Sequence, residues 1–338
     1  CRLGVLDKTA VKGLSAQITV TEISFIDSNT RLKFGLGQTL EQLAKLGLTP
    51  SEKALDLAIL AATITAADTR ISRSKDTQDK WTREISLHVP VSDPALFNKQ
   101  SVLIVTILNF LTGDRWSVTF RQRISGMESL ILPSQRLRVT DATSVCLFSG
   151  GLDSFIGAID LFAAGQKPLL VSHYWDGITS KHQTYCSGVI ARHFKKNELD
   201  HVRSRVGFPK STIPESVPED TLRGRSFMFF ALAALAADAL GGPVTIHVPE
   251  NGFISLNVPL DALRLGSLST RTTHPFYMAR FNQLLEGLGL EGRLENSYRH
   301  QTKGQMVKKC PEKKLLQKEA RNTMSCSSPA KGRFSKNE

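Results

Sequence analysis

The sequence predicts an α/β fold: a doubly wound, mostly parallel sheet preceded by an α+β domain. From residue 144 onward, strand-like apolar runs alternate with helical patterns, and this alternation is typical of a parallel sheet with helices on both faces. A glycine-rich turn at residues 149–154 follows the first apolar run, at the edge where such sheets bind ligands. The chain has 338 residues, of which 41% are hydrophobic, and can therefore bury a sizeable core.

Residues 1–140 have a different pattern and predict the α+β domain. Runs rich in β-branched residues predict strands in AQITVTEISF, REISLHVPV, SVLIVTILNFL and WSVTFRQRI. The stretch TPSEKALDLAILAATITAADT predicts a helix, because Thr49, Pro50 and Glu52 form a capping-box arrangement before an apolar run. Since this part shows no glycine-rich loop and no cluster of His, Cys or carboxylates, we expect a structural or partner-binding role. Residues 132–144 predict a linker.

Residues 141–298 predict the ligand-binding α/β domain, and residues 299–338 a basic C-terminal segment. The predicted strands are SVCLF, PLLVSHY, DHVRSRV and PVTIHVPEN. The predicted helices are DSFIGAIDLFAAG, KHQTYCSGVIARHFK, LRGRSFMFFALAALAADALGG and HPFYMARFNQLLEGLG. Gly165 ends the first of these helices, and a Gly-Gly pair ends the third.

The turn SGGLDS combines residue types that suit a phosphate site. Gly150 and Gly151 let the backbone approach a ligand closely, and the main-chain N–H groups at the start of the following helix attract phosphate oxygens. The hydroxyls of Ser149 and Ser154 add hydrogen bonds, while Asp153 suits the Mg²⁺ that accompanies a nucleotide. The turn lacks the ending of a Walker A loop and the glycine spacing of a dinucleotide fold.

After a hydrophobic strand and before a helix, SGGLDS resembles the PP-loop (SGGxDS) of the ATP pyrophosphatase, or nucleotide α-hydrolase, superfamily. Members of this superfamily cleave ATP between the α- and β-phosphates and adenylate a substrate. The resemblance implies an adenine nucleotide α-hydrolase-like fold, with ATP and Mg²⁺ as ligands. It also implies that ATP is bound by Ser149, Gly150, Gly151, Leu152, Asp153 and Ser154, with Ser149 and Asp153 acting in catalysis and Asp153 holding Mg²⁺.

Further stretches resemble the 7-cyano-7-deazaguanine synthases (QueC). PLLVSHYWDGITSKHQ is similar to their second strand and its loop, where a Tyr and a downstream His flank the nucleotide; Tyr174 and His182 hold those places. The start of LRGRSFMFFALAALAADALGG resembles their Arg-rich helix start, which implies that Arg225, as a catalytic residue, and Ser226 face the phosphates or the substrate. With THPFYMARFNQLLEG and TMSCS the resemblance spans residues 144–326.

The long N-terminal segment and PENGFISLNVPLDALRLGSLSTRTTHP look most like QatC, the QueC-like component of Qat anti-phage systems. This resemblance implies an acceptor that is a partner protein of the same defence operon. Cys326 stands where the first of four zinc cysteines lies in the QueC family, and Cys310 is the only other nearby thiol. Since tetrahedral Zn²⁺ needs four ligands, we expect an incomplete zinc site. We also expect that both natural termini are missing.

The charge distribution and the cysteines limit the ligands and the location that the chain can have. Of the formal net charge of +12, residues 299–338 supply most, with eleven Lys and Arg against three acids. This segment is either a solvated tail or a surface for RNA or an acidic partner. Scattered cysteines favour reduced thiols and a cytoplasmic location, with Cys146 and Cys186 as small buried hydrophobes. The apolar runs are too short for a membrane span.

Several polar residues allow two interpretations. We expect His173, on a strand, to be a structural histidine, whereas His182 is equally suited to a site. Arg223 and Arg225 lie at the start of an apolar helix, where a cation indicates either an anionic partner or a solvated first turn. Glu250 and Asn251 follow a predicted strand and either contact substrate or cap the turn.

The function that these observations predict is ATP-dependent adenylation. A carboxylate or amide oxygen of the acceptor attacks the α-phosphorus, pyrophosphate leaves, and a nitrogen nucleophile then displaces AMP. The alternatives are a nucleotide-binding scaffold subunit without turnover and a tRNA-modifying PP-loop enzyme. The basic tail favours the last of these, whereas no cysteine of the thiolation type stands out beside the loop.

Overall fold

The fold is described from a computed structural model of the chain. The structure describes the residues in the ranges 1–4, 6–9, 19–27, 31–77, 81–131, 139–209, 223–256 and 271–324, together with residues 212, 219 and 221. No helix among these residues is both long enough and apolar enough to cross a membrane.

The N-terminal part contains a parallel pair of strands joined by two helices. Its elements are α1 (Leu36–Lys45), α2 (Glu52–Arg70), α3 (Arg73–Asp76), β1 (Glu84–Val91), α4 (Pro94–Lys99), α5 (Ser101–Thr112) and β2 (Arg115–Gln122). Strands β1 and β2 run parallel, with Glu84 opposite Arg115. The predicted strands REISLHVPV and WSVTFRQRI and the long helix α2 are confirmed.

Two N-terminal predictions are wrong, and one cap is misplaced. SVLIVTILNFL forms helix α5, whose buried residues Ile104, Ile107 and Leu108 follow helical spacing although the run is rich in β-branched residues. AQITVTEISF contains one isolated bridge, between Ser24 and Arg2, in place of a strand in its described part, and residues 16–18 lie outside the described residues. Ser51, not Thr49, caps α2, because its hydroxyl accepts a hydrogen bond from the N–H of Ala54 at 3.3 Å.

The C-terminal part contains a five-stranded sheet. Its elements are β3 (Ser144–Leu147), α6 (Leu152–Ala163), β4 (Pro168–His173), α7 (Gly177–His193), β5 (His201–Ser204), α8 (Arg225–Leu240), β6 (Val244–His247), α9 (Gly252–Ser255), α10 (Pro275–Gly287), β7 (Gly292–Glu295), α11 (Lys303–Lys309), α12 (Lys313–Glu319) and a 3₁₀ turn (Ala320–Asn322). The strands lie in the order β5-β4-β3-β6-β7 and all pair in parallel. The predicted α/β class is therefore confirmed.

Both faces of this sheet are covered, as a doubly wound fold requires. Val145 on β3 belongs to the hydrophobic cluster that contains α8, whereas its neighbour Cys146 belongs to the cluster that contains α6 and α7. Leu169 and Leu170 on β4 divide between the two clusters in the same way. This alternation follows from the two-residue period of a strand that is buried on both faces.

The strand order places the predicted loop at a topological switch point. From β3 the chain crosses to β4 on one side, and β6, reached later, pairs with β3 on the other side. In open α/β sheets the crevice beyond the carboxyl ends of two such strands is where ligands bind. The ends of β3 and β6 therefore define the place to search for a site.

Candidate functional site

The turn between β3 and α6 brings the backbone close to a neighbouring helix. Gly150 has a φ of 80°, in the left-handed region that favours glycine. A Cβ at Gly150 would lie 3.1 Å from the backbone nitrogen of Gln183 on α7. Both the backbone angle and this close approach therefore require glycine, which confirms the conformational argument for Gly150.

The two serine hydroxyls hold the turn together. The Oγ of Ser154 accepts a hydrogen bond from the N–H of Ser149 at 3.2 Å and lies 3.0 Å from the Oγ of Ser149. The N–H of Gly151 donates to the Oγ of Ser149 at 3.2 Å. Helix α6 starts after Gly151 without a side-chain cap, so its first N–H groups have no acceptor within the helix. Such a helix start attracts an anion.

Asp153 lies in the first turn of α6 and connects three parts of the chain. Its Oδ2 accepts hydrogen bonds from the side-chain amide of Asn251 at 2.6 Å and from the backbone N–H of Asn251 at 3.2 Å. Its Oδ1 lies 3.2 Å from the Nζ of Lys303 on α11. Asn251 also caps α9 through the N–H of Ile254, so the interpretation of Asn251 as a turn cap is confirmed, and contact with a substrate stays a prediction.

A cavity of about 110 Å³ opens beside the loop, at the carboxyl ends of β3, β4 and β6. The residues that line it include Phe148, Ser149, Ser154, His173, Phe229 and Glu250. The cavity therefore occupies the switch-point crevice and contacts both serines of the predicted loop.

Glu250 is the carboxyl residue in the lining of this cavity among the described residues. Burial raises the pKa of Glu250 to about 7, and the nearby charge of Asp153 raises it further, while a hydrogen bond from Thr273 (2.5 Å) and the charge of Lys303 oppose the shift. Glu250 therefore exchanges its proton near neutral pH, close to the Asp153 carboxylate. Its side chain accepts a hydrogen bond from Thr273, and contact with a substrate stays a prediction.

Arg225 lies at the start of α8 in an aromatic surrounding. Its guanidinium is 4.8 Å from the ring centre of Phe229 and 5.7 Å from that of Trp175. Burial lowers the pKa of Arg225 to about 10, so the group remains charged at neutral pH. The Nε of Arg225 has no hydrogen-bond acceptor among the described residues. Since Phe229 lines the cavity, Arg225 borders it and is not in a solvated turn.

His173 combines a structural contact with a position in the cavity wall. Its Nε2 donates to the carbonyl of Val206 at 2.9 Å, as expected for a structural histidine. Burial lowers the pKa of His173 to about 3, which makes the imidazole neutral at physiological pH. Its Nδ1 and the Nε1 of Trp175 are buried without a partner among the described residues. These two polar atoms are free to contact a bound ligand.

Tyr174, His182 and Arg223 lie away from the cavity lining. The ring of Tyr174 packs under the guanidinium of Arg203 at 5.4 Å. His182 donates from Nδ1 to the carbonyl of Asn322 at 2.8 Å. Arg223 donates to the carbonyl of Thr112 on α5 at 3.1 Å and so ties the two parts of the chain together.

The C-terminal segment closes over the loop. The N–H of Met324 donates to the carbonyl of Gly150 at 2.8 Å, in addition to the contacts of Lys303 with Asp153 and of His182 with Asn322. Residues 303–324 are therefore folded against the site, which the prediction of a solvated tail did not anticipate. Lys303 is the site residue that the sequence analysis missed, because nothing in its surroundings along the chain marks it.

The zinc prediction concerns residues at the end of the chain. Cys326 lies outside the described residues. Cys310 is buried, and burial raises the pKa of its thiol to about 11, so it packs as a small hydrophobe beside Met306 and Leu316. In the part of the chain that the structure describes, no three His, Cys, Asp or Glu side chains are grouped as metal ligands.

Comparisons with known proteins identify no relative. No protein-family model, no curated protein and no solved structure matches the chain. The functional argument therefore depends on the geometry of the site itself.

Proposed function

We propose that the chain binds ATP with Mg²⁺ at the loop Ser149–Ser154 and transfers AMP from it to an acceptor, as QueC-like adenylating enzymes do. The observation that carries this proposal is the position of the loop. Its two serines line a cavity at the switch point of a parallel sheet, and α6 starts beside them without a side-chain cap. A polyphosphate is the ligand whose charge and oxygen spacing suit this combination.

Main-chain groups and two cations support the binding of the phosphates. The N–H groups at the start of α6 and the hydroxyls of Ser149 and Ser154 suit the oxygens of one phosphate group. Lys303 and Arg225 supply positive charge at two sides of the site, since Lys303 contacts Asp153 and Arg225 borders the cavity. Charges fixed in this way stabilise the charge that develops on the phosphates during transfer.

The carboxylates fit Mg²⁺. The Oδ1 of Asp153 is buried and is in contact with the Nζ of Lys303 at 3.2 Å, a position that a cation already occupies. Glu250 lies close enough for its pKa to respond to Asp153. Mg²⁺ is usually held in proteins by one or two carboxylates together with phosphate oxygens. We propose that Asp153 and Glu250 hold the ion, which would neutralise phosphate charge when it is bound.

The proposed reaction has two steps. An oxygen of the acceptor's carboxylate or amide attacks the α-phosphorus, the bond from that phosphorus to the oxygen bridging to the β-phosphate breaks, and pyrophosphate leaves with the bonding electrons. A nitrogen nucleophile then attacks the activated carbon, and AMP departs with the acceptor oxygen. The chain accelerates these steps by holding the reactants in line and by excluding water under the segment 303–324.

We also propose an acceptor and a biological setting. The QatC-like arrangement of a long N-terminal part before the loop favours a role in anti-phage defence, with a protein of the same operon as partner. The N-terminal part contacts the residues just before α8 through the hydrogen bond of Arg223 with Thr112, and α8 supplies Phe229 to the cavity. We propose that a partner bound to the N-terminal part reaches the cavity along α8.

A second candidate is a nucleotide-binding scaffold subunit without turnover. The specific observation in its favour is the ion pair between Lys303 and Asp153, because an ammonium group at Oδ1 competes with Mg²⁺ there. A thiolating enzyme is less well supported. Cys186 lies 3.9 Å from the carbonyl of Gly150, but burial raises the pKa of its thiol to about 12, so it is not a thiolate nucleophile.

The experiment measures ATP binding and the nucleotide products. Titration calorimetry with ATP, with and without Mg²⁺, is compared between the wild type and Asp153→Asn, which keeps the shape of the side chain and removes its charge. We expect Asp153→Asn to weaken Mg²⁺-dependent binding about tenfold or more. Asp141→Asn is the matched control, since Asp141 also pairs with a lysine but on the exposed surface.

Products formed from ATP distinguish the candidates. AMP and pyrophosphate, formed from Mg-ATP alone or after addition of a cell extract that supplies both proteins and small molecules, in excess of what the extract forms by itself, support the adenylating enzyme. Tight ATP binding with neither product in both conditions supports the scaffold. No heat of binding with ATP and Mg²⁺, or equal effects of Asp153→Asn and Asp141→Asn, contradicts the site itself.

A further inference from the structure

The folded C-terminal segment presents a strongly basic outer surface. Exposed cations on and around α11 and α12 are Arg299, Lys308, Lys309, Lys313, Lys314, Lys318 and Arg321. The inner faces of the two helices are fixed to the body of the protein by buried side chains, among them Met306 and Leu316. The basic residues therefore stand on a rigid platform and not on a solvated tail.

The acids in this segment are engaged by other groups. Glu312 lies 2.9 Å from the Nε2 of His193. Glu319 accepts hydrogen bonds from Tyr185 at 2.7 Å and from Asn322 at 2.9 Å, and it approaches Lys318 only at 3.9 Å. These two acids leave most of the positive charge of the surface uncompensated. A surface with this charge favours an anionic partner.

Two lysines are placed where they do not help their own helix. Lys313 and Lys314 occupy the first turn of α12, where the helix dipole disfavours a cation. Arg192, at the end of α7, extends the surface, since its charge acts on Glu319 and on Tyr185. The surface therefore extends over three helices, α7, α11 and α12. The positive charges of Lys313 and Lys314 are not needed for the folding of α12.

We propose that this surface, defined by Arg192, Arg299, Lys308, Lys309, Lys313, Lys314, Lys318 and Arg321, binds the phosphate backbone of a nucleic acid. Lysine is depleted in protein–protein interfaces, whereas nucleic-acid interfaces are strongly positive. The surface has little apolar area compared with a protein interface, because among the described residues its large exposed hydrophobic side chains are Val307 on α11 and Tyr185 on α7. A polyanion with closely spaced charges suits it better than a protein partner.

This inference is independent of the chemistry at the loop. The surface residues point outward from α11 and α12, while the loop lies beneath the same segment. Loss of ATP binding in Asp153→Asn would leave the basic surface unchanged, and a change of the surface would leave the loop unchanged. The two proposals therefore succeed or fail separately.

The experiment measures the binding of labelled single-stranded RNA, single-stranded DNA and duplex DNA by fluorescence anisotropy over a range of salt concentrations. The variant combines Lys309→Gln, Lys313→Gln and Lys314→Gln. The control combines Lys45→Gln, Lys75→Gln and Lys99→Gln, three exposed lysines of the N-terminal part. Both variants lose the same net charge, and thermal unfolding checks that both remain folded.

We expect the first variant to bind single strands about tenfold or more weakly, and its slope of log affinity against log salt to be about two smaller, because each lost phosphate contact changes that slope by about 0.7. The control should change little. Equal weakening in both variants would overturn the proposal, as it would reflect net charge alone. Binding to polyglutamate as tight as to nucleic acid would overturn it in favour of an acidic polypeptide. The relative affinities for RNA and DNA identify the natural ligand.

Discussion

Glu250 is the residue of the candidate site whose ionisation depends most on the fold. Its carboxyl lines the cavity and accepts a hydrogen bond from Thr273 at 2.5 Å. Burial raises its pKa from an ordinary value of 4.5 to about 7. A carboxyl whose pKa is raised on folding holds its proton more tightly in the folded state, so its contribution to stability is fully present below pH 4.5 and is lost as pH rises through 7.

We predict that Glu250→Gln changes the pH dependence of stability. The variant keeps the shape of a protonated glutamic acid but has no charge to bury. Between about pH 4.5 and pH 7, the free energy of unfolding of the wild type should fall by up to about 3 kcal/mol relative to that of the variant, since one pKa unit corresponds to about 1.4 kcal/mol. Urea denaturation of both proteins across this pH range measures the difference.

Glu291→Gln is the control for this prediction. Glu291 is exposed beside β7, so its charge is solvated in the folded and unfolded states alike. The difference between the wild type and this control should stay constant over the same range. A constant difference for Glu250→Gln as well would show that the Glu250 carboxyl is not shielded from water in the folded protein.

The site residues differ in how far the sequence could predict them. Ser149, Gly150 and Asp153 lie within six residues, and a turn between a strand and a helix places them together without help from the rest of the fold. Lys303 reaches Asp153 only because α11 packs against α6, a tertiary contact with no local signal. His182 lies within α7 and not in the loop after β4 where the resemblance places it. Its partner, the carbonyl of Asn322, likewise depends on tertiary packing.

At the scale of elements, a buried ionic network joins α2, β1 and the start of α8. Arg83 donates to Asp68 and to Asp114, each at 2.6 Å, and all three side chains are almost fully buried. The Oδ2 of Asp68 accepts the N–H of Gly224 at 2.9 Å, immediately before Arg225. The network therefore links the N-terminal part to the helix that carries a candidate phosphate-binding cation.

We predict that Arg83→Met destabilises the protein by about 3–5 kcal/mol. Removing one partner of a buried ion pair leaves uncompensated charge, here on Asp68, whereas Asp114 keeps its pair with Arg73 at 2.7 Å. The cost of this buried charge exceeds the gain from an apolar side chain. The free energy of unfolding in guanidinium chloride measures the effect.

Arg115→Met is the matched control, because Arg115 also pairs with a carboxylate, Glu84, at 3.0 Å but with both side chains about three-quarters exposed. An exposed pair of this kind contributes at most about 1 kcal/mol. If both substitutions cost the same, burial of the network would not be what makes Arg83 important.

The elements that were predicted correctly are those with two signals in agreement. Strand β3 is apolar and ends in a glycine turn, and α6 starts after that turn and ends before Gly165, whose φ is 74°. Helix α5 was predicted as a strand because its β-branched content outweighed its spacing, although Gly113 follows it with a left-handed φ, a helix-ending signal. Strand propensity reflects burial more than backbone preference, which explains the error.

At the scale of the whole molecule, the two parts share one hydrophobic cluster. It extends from Leu3 and Leu57 in the N-terminal part to Phe230 and Leu294 in the C-terminal part. Helix α2 packs along α8, and 15 of the 19 residues of α2 are buried. The boundary predicted at residue 140 stays a prediction, but a shared core of this kind favours unfolding in one step.

We predict that the two parts unfold together, and the three tryptophans allow a direct test. In Trp175→Phe, fluorescence reports only on Trp81 and Trp116 in the N-terminal part; in the double variant Trp81→Phe, Trp116→Phe it reports only on Trp175. Within each variant, the urea transition seen by fluorescence should coincide with the one seen by far-ultraviolet circular dichroism. Comparison within one variant cancels any destabilisation caused by the substitution. In Trp175→Phe, a fluorescence transition at a lower urea concentration than the dichroism transition would show that residues 1–140 unfold as a separate unit. Local units open independently only where few buried contacts join them.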